Sequence, residues 1–408
     1  MQPDAGARLL RWSLTAAADL RRMEDLVLGF VEVCHSLGLP IRRFNLTIRT
    51  LHPLFIAENW IWRHDQAGLQ SNRFTAEQKQ TLDFRSSPMR PILEGEARRL
   101  RYLIAAEGPH AFPLFAQYAA SGMTEYLTAA ISSEAELPIS VSLMTDQPGG
   151  FTEAQVDALE DGFTGLRAPV ELYVHRSIAR SVCATYIGHH TGPRVLRGDI
   201  HRGSVESLRA VVWFCDLRNF TPLTIRYGSQ AIVDLLNQFF GAVGEAVDHF
   251  EGEILKFIGD AALAIFPLRE GDAADVVCGR ALAAAERTLF NLAALNAAAP
   301  AGSAPLHAAI AVHVGEVSYG NIGAPTRLDF TVIGAAVNLA ARLNGLAPQL
   351  HQPLVTSGEF AALCGRPLRP LGAHALKGIE GMVEAYGLPE DGDQRVISVE
   401  GSSGAAPA

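Results

Sequence analysis

Between Leu208 and Cys215 the chain reads LRAVVWFC, a near-continuous apolar run that ends on Asp216. At eight residues it is far too short to cross a bilayer, and its pattern is that of a buried strand. The residues beyond it read as the remainder of a sheet-and-helix domain. Ser229 can cap a helix whose Ile232, Leu235, Leu236, Phe239, Phe240, Val243, Val247 and Phe250 share one face. Ile254–Ile258, the turn at Gly259-Asp260 and Ala261–Phe266 read as a hairpin with a carboxylate at its tip. A helix is expected over 273–297, and a small-residue loop over Ala298–Pro305. Leu306–Val314 and Val317–Ile322 read as a second hairpin around Gly315-Glu316. A strand near Phe330–Ile333 leads through Gly334 into a helix at 335–346.

The preceding half has a different texture. Residues 19–37 read as an amphipathic helix, and Arg42–Leu51 and Leu54–His64 as strands parted by Pro53. Gln66–Pro91 is polar and reads as loop and short helix. Arg99–Ala105, Thr124–Ser132 and Pro138–Thr145 read as further strands. After Gly149-Gly150, Thr152 and Gln155 fit a capping box, with Phe151 able to staple onto Val156. The apolar positions 156, 159, 163, 166 and 170 continue at helical spacing, and Pro169 should kink or end the run. Residues 170–205 read as a connector broken at Gly188, Gly192 and Pro193. The expected organisation is therefore a sensor or dimerisation domain over 1–168, a helical connector over 169–205, a second domain over 206–388 and a disordered tail over 389–408. A length of 408 residues agrees with two or three domains at ~150 residues each.

Composition removes several function classes. A net charge of −9 argues against a broad nucleic-acid-binding surface. No apolar stretch is long enough for membrane insertion, and residues 1–30 hold no signal-peptide core, so a cytoplasmic protein is expected. Five cysteines without CxxC spacing exclude a zinc knuckle and fit a reducing compartment. Only Lys79, Lys256 and Lys377 among 34 basic residues are lysine. Codon bias accounts for the scarcity but not for where the survivors sit.

The carboxylates carry the first chemical signal. Asp216 ends one buried strand and Asp260 tips a hairpin. If those strands are neighbours, the two carboxylates converge and raise each other's pKa. A divalent cation relieves the repulsion, and hard oxygen donors suit Mg²⁺ or Mn²⁺. Taken singly, each is better read as a turn aspartate bonded to local N–H groups. Leu217-Arg218-Asn219-Phe220-Thr221 leaves a strand and enters a helix, so its N–H groups can cradle phosphate. Asn338 and Arg342 are four apart and share a face of an otherwise small and apolar helix, where a guanidinium suits a phosphoryl group. Lys377 alone reads as a surface turn lysine.

Taken together, FCDLRNFT (214–221), ILKFIGDAALAIF (254–266), RLDFTVIGAAVNLAARL (327–343) and ALKG (375–378) resemble the class III nucleotidyl cyclase catalytic domain, over about 206–388. The resemblance implies an α+β, ferredoxin-like catalytic fold. It implies that Asp216, Asp260 and the carbonyl of Leu217 bind two divalent ions. It implies that Lys256 and Thr331 read adenine, that Asn338 orients the ribose, and that Arg342 stabilises the transition state. Lys377 then matches the lysine on the outgoing phosphates. Arg327 lies near a phosphate-binding arginine with the register off by one, and Phe220 and Thr221 belong to the phosphate turn. Threonine at 331 resembles the subgroup called IIIb, several members of which respond to bicarbonate; many members of the wider family carry aspartate there. Asn219 departs from a common glycine.

The resemblance further implies ATP as substrate, cyclic AMP and pyrophosphate as products, and a head-to-tail homodimer with two shared sites. A guanylate or relaxed-specificity cyclase is the alternative enzyme, and a non-catalytic nucleotide-binding regulator the alternative of another class. The Glu/Cys pair that guanylate cyclases resemble at the base-reading positions is lacking, and Asp216, Asp260, Asn338, Arg342 and Lys377 are all present. MTDQPGGFTEAQVDAL (144–159) and the strand order before it resemble a GAF-like α+β sensor module, whose ligand the sequence leaves open. A dimerisation scaffold without a ligand is the alternative there.

Overall fold

The computed structural model describes residues 4–78, 81, 86–105, 109–131 and 139–389. The chain divides into two units at Thr185/Tyr186. The expected tail at 389–408 lies, but for residue 389, outside the described residues.

The first unit begins with α1 (Ala5–Leu14) and α2 (Met23–Ser36). Its six strands are β1 (Arg43–Arg49), β2 (Ala57–Arg63), β3 (Leu69–Phe74), β4 (Arg99–Leu103), β5 (Glu125–Ala130) and β6 (Ile139–Thr145). They form an antiparallel sheet in the order β3-β2-β1-β6-β5-β4. Alternation assigns the faces. Phe44, Leu46 and Ile48 of β1 join Val141 and Leu143 of β6 in a core with Phe30, Leu159 and Phe163 from the helices. Asn45, Thr47, Ser140 and Ser142, at the alternate positions, are buried as well. Two short helices, α3 (Arg90–Leu93) and α4 (Pro113–Ala120), also belong to this unit. The polar stretch expected to be loop contains the edge strand β3, paired with β2 from Ala57↔Phe74 to Trp62↔Leu69.

Helix α5 (Glu153–Ile187) starts where the capping box places it. The Thr152 N–H donates to Gln155 Oε1 at 2.9 Å, and the Gln155 N–H to Thr152 Oγ1 at 3.3 Å. Pro169 does not end this helix. Its missing bond costs about 3 kcal/mol, but Leu166, Val170 and Val174 are all buried on the continuing face, each contributing roughly 1.5–3 kcal/mol. The expected break is present at Gly188, which sits at φ 118° just after α5 ends; Gly192 and Pro193 lie beyond it, in the first turn of α6 (Thr191–Leu196), where proline's lost donor is an orphan anyway.

The second unit runs β7 (Val205–Leu217), α7 (Phe220–Arg226), α8 (Ser229–His249), β8 (Glu253–Ile258), β9 (Ala261–Leu268), α9 (Ala274–Ala298) and β10 (Ala308–Ala324). It continues with β11 (Arg327–Ile333), α10 (Ala335–Leu346), β12 (Leu354–Ser357), α11 (Gly358–Leu363), β13 (Arg369–Ala375) and β14 (Met382–Gly387). The sheet order is β13-β14-β12-β10-β7-β9-β8, with β11 on β10. The antiparallel set β10-β7-β9-β8 is the split β-α-β-β-α-β arrangement expected of a ferredoxin-like fold. On β7, Val211, Trp213 and Cys215 face α8 and α9, while Ala210 and Val212 face the α10 side.

The hairpin expected around Gly315-Glu316 is absent. β10 is one strand, paired without interruption to β7 from Ala308↔Leu217 to Gly320↔Val205. Gly315 marks close packing instead of a turn: a Cβ there would stand 2.8 Å from the Cβ of Ala336 on α10. The real hairpin lies further on, where β11 folds back on β10. Ser229 is the first helical residue of α8 and makes no capping bond; Gly228 is the N-cap.

Candidate active site

The long β7 and the β8–β9 hairpin set the two aspartates. Asp216 pairs with Ala261, and the Leu217 N–H donates to the Asp260 carbonyl at 3.1 Å. Both aspartates therefore stand at one end of adjacent strands. Asp216 Oδ1 is buried with no hydrogen-bond partner among the described residues. Burial, and then the Asp260 charge, push the Asp216 carboxyl up to about 6, against a smaller opposing pull from Arg218. An orphaned carboxylate oxygen beside a second carboxylate is a hard anionic donor set and fits Mg²⁺ or Mn²⁺. Among the described residues no third His, Cys, Asp or Glu completes a cluster with them. Leu217, the next residue along β7, carries the backbone carbonyl expected from the sequence as a further donor.

The following turn holds Asn219 at φ 59°, in the left-handed region. Asparagine tolerates that conformation better than most residues, which is how it can occupy a glycine-type position. Phe220 opens α7, and its half-buried ring packs against the core under α8 and α9. Thr221 is exposed on the first turn.

Lys256 projects from β8, where the pairing with β9 shifts register between Ile254 and Lys256. Its Nζ lies 3.4 Å from Asp329 Oδ2 on β11. Thr331 is on the same strand, two residues on and hence on the same face; it is 4% exposed and its hydroxyl has no partner among the described residues. Lys256 and the strand carrying Thr331 are thus brought together. Asn338 and Arg342 are both exposed on α10, one turn apart. Arg327 is exposed at the start of β11, and Lys377 is exposed in the turn after β13.

Asp329 was not among the residues singled out from sequence. It and Lys256 are 73 positions apart on strands that are not adjacent in the chain. A second unforeseen group lies behind β8. Glu253, 6% exposed, accepts from the Thr191 N–H at 3.0 Å, the Thr191 hydroxyl at 2.6 Å and the Tyr319 hydroxyl at 2.9 Å. The start of β8 is thereby fastened to α6.

Residues 205–384 match the family described as the adenylate and guanylate cyclase catalytic domain. The chain is 29% identical over 220 residues to "Adenylate cyclase 1" of Rhizobium meliloti, covering 53% of this chain and 31% of that protein. It spans only about a third of the length of the curated relatives it matches. Among solved structures, the adenylyl cyclase CyaB from P. aeruginosa is 26% identical over 46% of this chain and 96% of that one, with TM-score 0.42. The guanylyl cyclase Cya2 is likewise 26% identical, over 46% of this chain and 97% of that one, with TM-score 0.40.

Proposed function

We propose, on the premise that residues 205–384 belong to the adenylate and guanylate cyclase catalytic-domain family, that this chain converts ATP to 3′,5′-cyclic AMP and pyrophosphate. The observation that carries the choice of base is the Lys256–Thr331 pair. Adenine presents an acceptor at N1 and a donor at N6. A lysine ammonium donates only, and a threonine hydroxyl can accept. The Thr331 hydroxyl is buried and has no partner among the described residues, which leaves its acceptor capacity unused within the chain. Guanine, with a donor at N1 and an acceptor at O6, reverses the pattern.

Divalent ions held by Asp216, Asp260 and the Leu217 carbonyl would neutralise triphosphate charge and lower the pKa of the ribose 3′-hydroxyl. Asn338 orients the ribose. The 3′-oxygen attacks the α-phosphorus in line, the bond to the β-phosphate oxygen breaks, and pyrophosphate departs. Arg342 offsets charge growing on the phosphoryl oxygens, and Lys377 with Arg327 holds the leaving phosphates. No covalent enzyme intermediate is needed, because nucleophile and electrophile share one molecule and positioning supplies much of the rate. The working unit is a head-to-tail homodimer, with the aspartates of one chain facing the base-reading residues of its partner. Replacing Lys256→Glu together with Thr331→Cys should move preference toward GTP; unchanged ATP selectivity would refute the base-reading assignment.

The first unit is proposed as a GAF-like sensor that regulates turnover. Its sheet order supports the reading. So does a cavity of about 420 Å³ on the polar face of that sheet, lined by Asn45, Thr47, Asn59, Met89 and Tyr118 among others. Asn45 Oδ1 is buried there without a partner among the described residues. No helix among the described residues is long and apolar enough to cross a membrane.

A further inference from the structure

A second, smaller cleft, of about 120 Å³, lies in the first unit between the turn joining β1 to β2 and the second half of α5. Val174, Ser177, Ile178 and Ser181 form its helical wall; they are three and four apart and so share one face. Opposite them are Glu58 of β2 and Arg73 of β3, directly paired across the two strands. Arg49 and His52 close the end. The turn itself is tied: the Thr50 N–H donates to the Ile56 carbonyl and the Thr50 hydroxyl to the Phe55 carbonyl, each at 3.0 Å.

The charges lining this cleft do not balance. Two guanidiniums, Arg49 and Arg73, stand against one carboxylate, Glu58, which already accepts from Arg73 Nε at 3.3 Å. In a chain of net charge −9 this corner is cationic. Its other polar atoms include donors. The Leu54 N–H donates to His52 Nδ1 at 3.1 Å, which in the neutral ring leaves the proton on Nε2. Ser181 Oγ is buried with no partner among the described residues, without the bond to a carbonyl four residues back that a helical serine can make. Size narrows the choice further. A volume of 120 Å³ is about four waters' share of liquid volume and well below the ~300 Å³ at which organic-ligand sites begin. It has room for one small ion and none for a nucleotide.

We infer that this cleft binds a small oxyanion such as phosphate, held between the Arg49 and Arg73 guanidiniums and the Ser181 hydroxyl, and that the bound ion fastens the second half of α5 to the sheet. Guanidinium forks match phosphate oxygens, and hydrogen bonds to charge are roughly twice as strong as neutral ones. α5 ends at Ile187, two residues past the boundary of the first unit, so the ion sits on the segment by which that unit's chain leaves it. The site stands whether or not the cavity on the polar face takes a ligand, and its test needs no turnover.

The test is equilibrium dialysis of radiolabelled inorganic phosphate against the full-length protein at fixed ionic strength, with amide hydrogen exchange followed in parallel. S181L, which fills the cleft, and R49A/R73A should each bind one phosphate per chain fewer than wild type. S181A should weaken that site at least about tenfold, the loss of one hydrogen bond to a charged group. Phosphate should slow exchange across residues 174–187 at least tenfold in wild type and leave it unchanged in S181L. Methyl phosphate separates two sources of the anion: binding equal to that of phosphate assigns the site to a phosphate group carried on a larger molecule, and binding tenfold weaker assigns it to the free ion. Three outcomes would overturn the inference. One is wild type binding no phosphate. Another is undiminished binding in S181L and R49A/R73A, which would place the ion elsewhere. The third is phosphate bound with exchange across 174–187 unchanged. Melting temperatures identify a variant that misfolds, and S181A, which removes only a hydroxyl, keeps the test valid if S181L does not fold.

Discussion

Asp216 and Asp260 meet at the ends of neighbouring strands, tied by the 3.1 Å bond from the Leu217 N–H to the Asp260 carbonyl. The fold thereby holds together two like charges that repel. The Asp216 carboxyl rises from 3.8 to about 6, through burial first and Asp260 second. A group whose folded pKa is raised adds nothing below its unfolded pKa and destabilises as pH climbs through the folded value. Asp216→Asn should therefore stabilise the metal-free protein at pH 7.5 by roughly 1 kcal/mol after allowance for solvent screening. The gain should vanish below about pH 4. Thermal melts across that range check it; Mn²⁺ should raise the melting temperature of the wild type and not of the variant, which should also lose turnover.

Arg342 tests the phosphoryl side. It is exposed on α10, so Arg342→Ala should leave the melting temperature unchanged. Loss of one donor aimed at developing charge lowers kcat by ~10²–10³. Cyclic-nucleotide production at saturating ATP measures the effect, and a drop in KM alone would contradict the role.

Shared sites make a prediction that a single-chain site cannot. Asp260→Ala and Arg342→Ala should each be inactive alone. Mixed dimers place both defects in one site and leave the other whole. With random reassortment half the dimers are mixed, so roughly a quarter of wild-type activity should return. Mixing the two purified variants after dissociation and reassociation gives the measurement; no recovery would argue for sites built within one chain.

Glu253 tests the fastening of β8. Its carboxylate is buried and accepts bonds from Thr191 and Tyr319. Glu253→Ala strands those donors and should cost about 2–4 kcal/mol in urea unfolding. Lys256 lies three residues along the same strand, so KM for ATP should rise as well.

Much of the second unit was legible because burial imposes simple patterns. The LRAVVWFC strand, the Gly259-Asp260 hairpin and the helix after Gly334 all carry local signals that the structure reproduces. In the first unit the reciprocal bonds of Thr152 and Gln155 lie where the capping box expects them. Errors arose where tertiary pairing overrides local sequence. Gly315-Glu316 has the composition of a turn, but β7 pairs straight through it. LQSNRF shows no apolar alternation, and becomes β3 only because β2 offers it an edge. Pro169 carries a breaker's cost, which buried neighbours outweigh. At the site, individual residues were readable but relationships were not. The orphaned oxygen of Asp216, the unpartnered hydroxyl of Thr331 and the Lys256–Asp329 pair all depend on which strands become neighbours.

The most direct measurement is cyclic-nucleotide formation by the purified full-length protein, with ATP and GTP in parallel, each with Mg²⁺ and with Mn²⁺. The account predicts cyclic AMP from ATP, cyclic GMP at a small fraction of that rate, and loss of both products in Asp260→Ala. Cyclic GMP as the main product, or turnover that survives Asp260→Ala, would contradict it.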